Sequence, residues 1–117
     1  MEREFIMART AENATIELIA STTLTTLDYA VPASTVATAF LVLTNLTTNI
    51  LDVSVYINNT ATDFLLAREK IPAGIGKTWI VSELATQKLN AGFSIKVQCT
   101  TTDSFNASMS VSEINLN

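Results

Sequence analysis

Apolar and polar side chains alternate with a period of two over much of this chain. Across residues 52–58 the order Asp-Val-Ser-Val-Tyr-Ile-Asn puts Val53, Val55 and Ile57 on one side and Ser54, Tyr56 and Asn58 on the other, the pattern of a strand with one buried face. Phe93, Ile95, Val97 and Cys99 alternate in the same way with Ser94, Lys96, Gln98 and Thr100, and Ala107, Met109 and Val111 with Ser108, Ser110 and Ser112. Weaker strand signals run over residues 15–20, 24–31, 64–71 and 77–82. Thr, Val and Ile concentrate there, and a branched Cβ suits the pleat while losing χ1 freedom in a helix.

Residues 35–46 break the simple pattern, with Ala37, Ala39, Leu41 and Leu43 on one side and Val36, Phe40 and Val42 on the other. Apolar residues on both faces imply a central strand covered twice, or a strand whose second face meets another subunit. Val36, Phe40 and Val42 are therefore candidate partner-binding residues. Turn residues separate the strands at Pro32-Ala33-Ser34, Asn45-Leu46-Thr47-Thr48-Asn49, Asn58-Asn59-Thr60, Pro72-Ala73-Gly74, Asn90-Ala91-Gly92 and Thr102-Asp103-Ser104. Such spacing predicts one all-β antiparallel sandwich of about seven or eight strands, immunoglobulin-like or jelly-roll in arrangement. Its expected core is Leu41, Val53, Val55, Ile57, Trp79, Phe93, Ile95, Val97 and Val111. One short helix is predicted over residues 82–89, capped by Ser82 and ended by Asn90-Ala91-Gly92.

The first thirteen residues lack this alternation, yet Phe5-Ile6-Met7 is apolar enough to favour burial. Residues 1–13 are read as an N-terminal arm on a 14–117 sandwich, with Phe5, Ile6 and Met7 as further partner-binding candidates.

Composition narrows the function. Seven Lys and Arg against eleven Asp and Glu give a net charge of -4, the wrong sign for neutralising a phosphate backbone, so no nucleic-acid partner is expected. The chain has no histidine, which removes the usual general base near neutral pH and the commonest metal ligand. No catalytic residue, cofactor or metal is assigned, and a non-enzymatic role is expected. The single Cys99 cannot form an intrachain disulfide and reads as a buried thiol. The N-terminus has no signal-peptide pattern, and the longest apolar run, residues 39–43, is too short to cross a bilayer. A soluble protein without a membrane partner is the expectation.

Several short motifs have bland explanations. Gly74-Ile75-Gly76-Lys77-Thr78 ends like a phosphate-binding loop, but Ile71 stands where that loop needs its first glycine, and Trp79-Ile80-Val81 continues as strand. The Asn-x-Ser/Thr triplets at Asn13, Asn45, Asn58 and Asn106 match glycosylation acceptors without an export signal and read as polar loops.

The order of segments carries a resemblance. Leu27-Asp28-Tyr29-Ala30-Val31-Pro32-Ala33 leads into the apolar strand 36–43 and Asn45, followed by Val53-Ser54-Val55-Tyr56-Ile57. Ile71-Pro72-Ala73-Gly74 comes next, then Leu89-Asn90-Ala91-Gly92-Phe93-Ser94-Ile95-Lys96-Val97 and a closing strand to Ile114. This succession resembles small β-sandwich virion proteins of tailed bacteriophages over about residues 24–114. The resemblance implies a virion structural protein assembled in the host cytoplasm, above all a capsid decoration or cement protein that stabilises the head. A neck or tail adaptor, a fibre-associated protein or a surface carbohydrate-binding module are the alternatives. The implied partners are the major capsid protein or another virion protein. The two apolar faces of residues 35–46 add the expectation of a closed homo-oligomer with further copies of this chain, a trimer being favoured.

Overall fold

The computed structural model describes residues 9–116. Among these residues eight strands form in chain order: β1 (Arg9–Ile19), β2 (Thr25–Ala30), β3 (Thr35–Asn45), β4 (Leu51–Asn58), β5 (Asp63–Ile71), β6 (Thr78–Ile80), β7 (Ser94–Cys99) and β8 (Phe105–Asn115). A single helical turn, α1 (Ser82–Ala85), separates β6 from β7. No helix among the described residues is long and apolar enough to cross a membrane.

The strands make two four-stranded sheets, ordered β1-β8-β3-β6 and β2-β7-β4-β5, with antiparallel pairing throughout. Successive strands mostly switch sheets, and the last strand returns between the first and the third. That order is the jelly roll, which decides between the two arrangements the sequence left open.

Between the sheets lies one apolar core. Ala37, Ala39, Leu41, Leu43, Phe105, Ala107, Met109 and Val111 face it from the first sheet, and Leu27, Leu51, Val53, Val55, Ile95, Val97 and Cys99 from the second. Period-two alternation placed Leu41, Val53, Val55, Ile95, Val97 and Val111 correctly. Ile57, Trp79 and Phe93 are only partly buried and pack at its margin, a correction to the expected core. Trp79 sits on the three-residue edge strand β6, and Ile57 and Phe93 lie at one end of the sandwich beside an open groove. In their place the core takes Val81, at the end of the weak 77–82 strand signal, and Leu84 and Leu89, from a segment with no strand periodicity.

That segment also corrects the helix. Val81 still belongs to the sheet edge, its N–H donating to the Leu41 carbonyl at 3.0 Å, so Val81 and not Ser82 stands at the N-cap, and no side chain caps the turn. Helix ends after one turn because the chain must return to β3. Leu89 and Ala37 exchange both backbone hydrogen bonds, at 2.8 and 2.9 Å. Together β6, Val81 and Leu89 cover one edge of β3, removing open strand-pairing groups there.

β1 starts at Arg9, so residues 9–13 of the segment read as an arm are paired with β8, from Arg9 opposite Asn115 to Asn13 opposite Val111. A full-length partner strand supplies the backbone hydrogen bonds that side-chain pattern gave no sign of.

Turns are fixed by local backbone demands. Gly92 has φ +86°, a left-handed conformation that costs other residues strain, and a Cβ there would meet Thr60 Cγ2 at 2.8 Å. Its N–H also donates to the Val31 carbonyl at 2.8 Å, joining the loop before β7 to the end of β2. Gly92→Ala is expected to lower unfolding free energy by about 2 kcal/mol in chemical denaturation, and an unchanged midpoint would contradict this geometry.

Candidate interaction surface

The inward set of each strand determines what its other face presents. Because Ala37, Ala39, Leu41 and Leu43 are buried, Val36, Thr38, Phe40, Val42 and Thr44 point outward from the first sheet. Register then brings outward residues of neighbouring strands side by side. Ile16 lies opposite Ser108, Ser108 opposite Val42, and Val42 opposite Ile80. In the next row Leu18, Asn106, Thr44 and Thr78 follow one another, while Phe40 faces Ser110 and Val36 faces Ile114.

This outer face is strongly apolar for a solvent-facing sheet. Ile16 is 74% exposed, Leu18 67%, Ile80 52%, Phe40 47% and Ile114 43%. Among the described side chains it carries no Asp, Glu, Lys or Arg, and the register sets one acidic position of β1, Glu12, in the row of Ser112 and Thr38. The candidates Val36, Phe40 and Val42 are thus brought together on one surface, and Ile16, Leu18, Ile80 and Ile114 join them. Those four were not legible as members because they lie on three other strands, β1, β6 and β8, and only long-range pairing makes them neighbours. Phe5, Ile6 and Met7 lie outside the described residues.

The outer face of the second sheet carries charge, beside the exposed Phe64 and Leu65 of β5. Arg68 donates to Asp52 through Nε at 2.9 Å and Nη2 at 2.7 Å, a two-point ion pair across β4 and β5. Lys96 Nζ lies 3.0 Å from Asp63 Oδ1, which also accepts from Asn58 Nδ2 at 2.7 Å. The Arg68 hydrogen bond holds the Asp52 carboxyl below its ordinary range, and the bonds from Asn58 and Lys96 do the same for Asp63. Folded-state values below the unfolded ones mean that these pairs stabilise above the ordinary carboxylate pKa and that their contribution disappears as pH falls through the folded values. Both pairs are solvent-exposed, so the contribution is small.

Grooves also open on the described surface. One, of about 660 Å³, is lined by Thr15, Thr26, Asp28, Tyr29, Pro32 and Glu113. Its polar groups are committed to joining the sheets. The Tyr29 hydroxyl on β2 donates to Glu113 on β8, and the Asp28 N–H donates to Glu17 on β1 at 2.6 Å. Burial, with the Glu113 hydrogen bond in addition, raises the Tyr29 hydroxyl above the ordinary phenol range. Tyr29→Phe is expected to cost about 1–2 kcal/mol of stability, since Glu113 loses its donor in a half-buried setting; a thermal melt that matches the wild type would show that water replaces it fully. Another groove, of about 250 Å³, is apolar, with Ile57, Phe64, Leu65, Leu66, Leu89 and Phe93 in its walls.

Remaining candidates resolve into structure. Gly76 N–H donates to the Asn45 carbonyl at 2.8 Å and Lys77 N–H to the Gly74 carbonyl at 3.2 Å, so these two amides of the Gly-Ile-Gly-Lys-Thr segment are occupied within the chain, and β6 rather than a helix follows. Among the described residues, no group of three or more His, Cys, Asp or Glu is placed to hold a metal ion. Cys99 is 1% exposed, its Sγ 3.7 Å from Thr101 Oγ1. A thiol reagent is expected to label Cys99 only after denaturation, and rapid labelling of the native protein would overturn this placement.

Comparison with known proteins bears on the fold. No protein-family model matches the chain, and no curated protein matches its sequence. Among solved structures, a chain of the disulfide-linked pili that form Bacillus endospore appendages superposes with a TM-score of 0.56 at 9% identity, covering 94% of this chain and 88% of that one. A chain of infectious bursal disease virus, Gx strain, superposes with a TM-score of 0.52 at 14% identity over 94% of this chain. This chain spans only 33% of that viral chain's length. At such identities the likeness establishes a shared β-sandwich fold, and neither neighbour comes from a tailed bacteriophage.

Proposed function

We propose that this chain is a non-enzymatic structural subunit of a virion, a head decoration or cement protein of the tailed-phage kind, which docks through the outer face of the β1-β8-β3-β6 sheet. The observation that carries this reading is the contrast between the two outer faces. One is apolar and free of charge among its described side chains, while the other carries the Asp52–Arg68 and Lys96–Asp63 ion pairs. A monomer in water gains nothing from sorting its surface in this way; a subunit held in a lattice gains adhesion on one side and solubility on the other. The overall fold is one that the spore-pilus and bursal-disease-virus chains also use inside large assemblies, which supports the reading without specifying the particle.

The segment preceding β1, with Phe5, Ile6 and Met7, is a second contact in this proposal. Since β1 begins at Arg9, its clean deletion removes residues 1–8. The test is proteomic and physical: purified particles of the phage that encodes the chain should contain it at fixed stoichiometry, and recombinant chain should bind particles stripped of it. Binding should weaken in both Phe40→Lys and the 1–8 deletion while the melting transition stays near that of the wild type. Absence of the chain from purified particles would overturn the reading.

A further inference from the structure

From the shape and chemistry of the outer face of the β1-β8-β3-β6 sheet we infer that it closes against the same face of a second copy, forming a two-fold, sheet-on-sheet dimer. This inference rests on the reading of that face as the docking face, and it names the occupant.

Three observations point to a second copy. The first is relief. The β8 row Asn106, Ser108, Ser110, Ser112 is made of small polar side chains and runs between the β1 ridge of Ile16 and Leu18 and the β3 ridge of Val36, Phe40 and Val42. A furrow flanked by ridges is complementary to itself: turned about a two-fold axis, the β3 ridge of each copy enters the serine furrow of the other, an isologous contact.

The second is charge. Each copy carries a net charge of -4, so two copies repel unless the contact excludes charged groups. The described side chains of this face include none, the one acidic register position in its rows is Glu12 opposite Ser112, and the ion-paired charges lie on the far sheet. A partner of different composition would be selected by complementary charge, which this face does not offer.

The third is area. β1, β8 and β3 are each 11 residues long. At about 4.8 Å between strands and about 3.3 Å per residue they span roughly 500 Å² in plan before β6 is added. A corrugated surface exposes more than its plan area, so the face approaches the roughly 800 Å² per partner of a standard stable interface. A face that pairs with its own copy about a two-fold axis closes at two copies, so the oligomer proposed is a dimer. Cys99, the only cysteine, is buried, so the contact is non-covalent.

Sedimentation equilibrium on the full chain tests the inference. The wild type should be a dimer at micromolar concentration. Ile16→Lys combined with Phe40→Lys should weaken self-association by roughly a hundredfold or more, because two uncompensated charges would be buried in each half of the contact, with the melting curve of the monomer retained. Mixing it with Ile16→Asp/Phe40→Asp should restore a heterodimer. Phe64→Lys, on β5 of the other sheet, controls for the general effect of adding a charge and should leave association unchanged. A wild type that stays monomeric at 100-fold higher concentration, or a dimer that survives Ile16→Lys/Phe40→Lys, would overturn the inference. If the wild type is monomeric while Phe40→Lys still loses attachment to the particle, a different chain covers the face and the functional reading stands. A face-dependent dimer absent from the particle would instead remove the functional reading and leave the dimer.

Discussion

Replacing Phe105 with alanine should cost about 3–5 kcal/mol of folding free energy. Phe105 is fully buried at the start of β8, where its register partners are Ile19 on β1 and Asn45 on β3. Truncation removes the transfer free energy of a benzyl group and leaves a cavity that three paired strands cannot easily close. A domain of this size has a total stability on the order of 5–15 kcal/mol, so the variant would lie close to unfolding at room temperature. Urea titration should show a large fall in midpoint with an unchanged slope. A loss below about 1 kcal/mol would mean that neighbouring side chains collapse into the space, and that the end of the core is looser than its burial implies.

Asn45 gives the second large effect, and for a polar reason. It is fully buried at the end of β3, with Nδ2 donating to the carbonyls of Asn49 at 2.7 Å and Pro72 at 3.0 Å. Its Oδ1 accepts from the Thr47 N–H at 2.8 Å and the Thr47 hydroxyl at 2.9 Å. One side chain thus organises the loop after β3 and anchors the loop after β5. Asn45→Ala orphans several of these groups at once, and the expected loss is about 3 kcal/mol. Asn45→Asp is the sharper experiment, since it keeps the shape but sets an acceptor against two carbonyl oxygens. Burial raises the folded-state pKa of such a carboxyl above its unfolded value. The penalty should therefore be smallest below the unfolded pKa and grow as pH rises through the folded one. Equal stability of Asn45→Asp and wild type near neutral pH would refute the hydrogen-bond assignment. Because Asn45 and Phe105 are register partners, the double variant should deviate from additivity.

The same residue shows where a sequence reading stops. In the linear chain Asn45 belongs to a polar turn and to an Asn-Leu-Thr triplet, and nothing local distinguishes it from Asn58 or Asn59. Its role comes from Pro72, which is distant along the chain. Leu84 and Leu89 are similar: they lie in a stretch with no alternation, and they are buried because α1 and the Leu89–Ala37 bridge lay that stretch along β3. Ser82 had the composition of a helix cap, but the Val81 hydrogen bond to Leu41 carried the strand ladder one residue further. The reach of β1 back to Arg9 was hidden for the same reason, since partner strand β8 supplies it and its own side chains do not.

What the sequence determined by itself was the all-β class, the existence of nearly every strand and the inward set along each one, because side-chain alternation is a local property of an extended backbone. It also determined that Val36, Phe40 and Val42 share the face opposite Ala37, Ala39, Leu41 and Leu43. What only the tertiary structure decided was which strands are neighbours, and therefore the jelly-roll order and the assembly of Ile16, Leu18, Ile80 and Ile114 with those three into one apolar surface. Pairing partners are far apart along the chain, from β1 to β8 almost its whole length. Alternation along each strand is the same whichever partner it takes, so the choice is made by packing two complete sheets around one core.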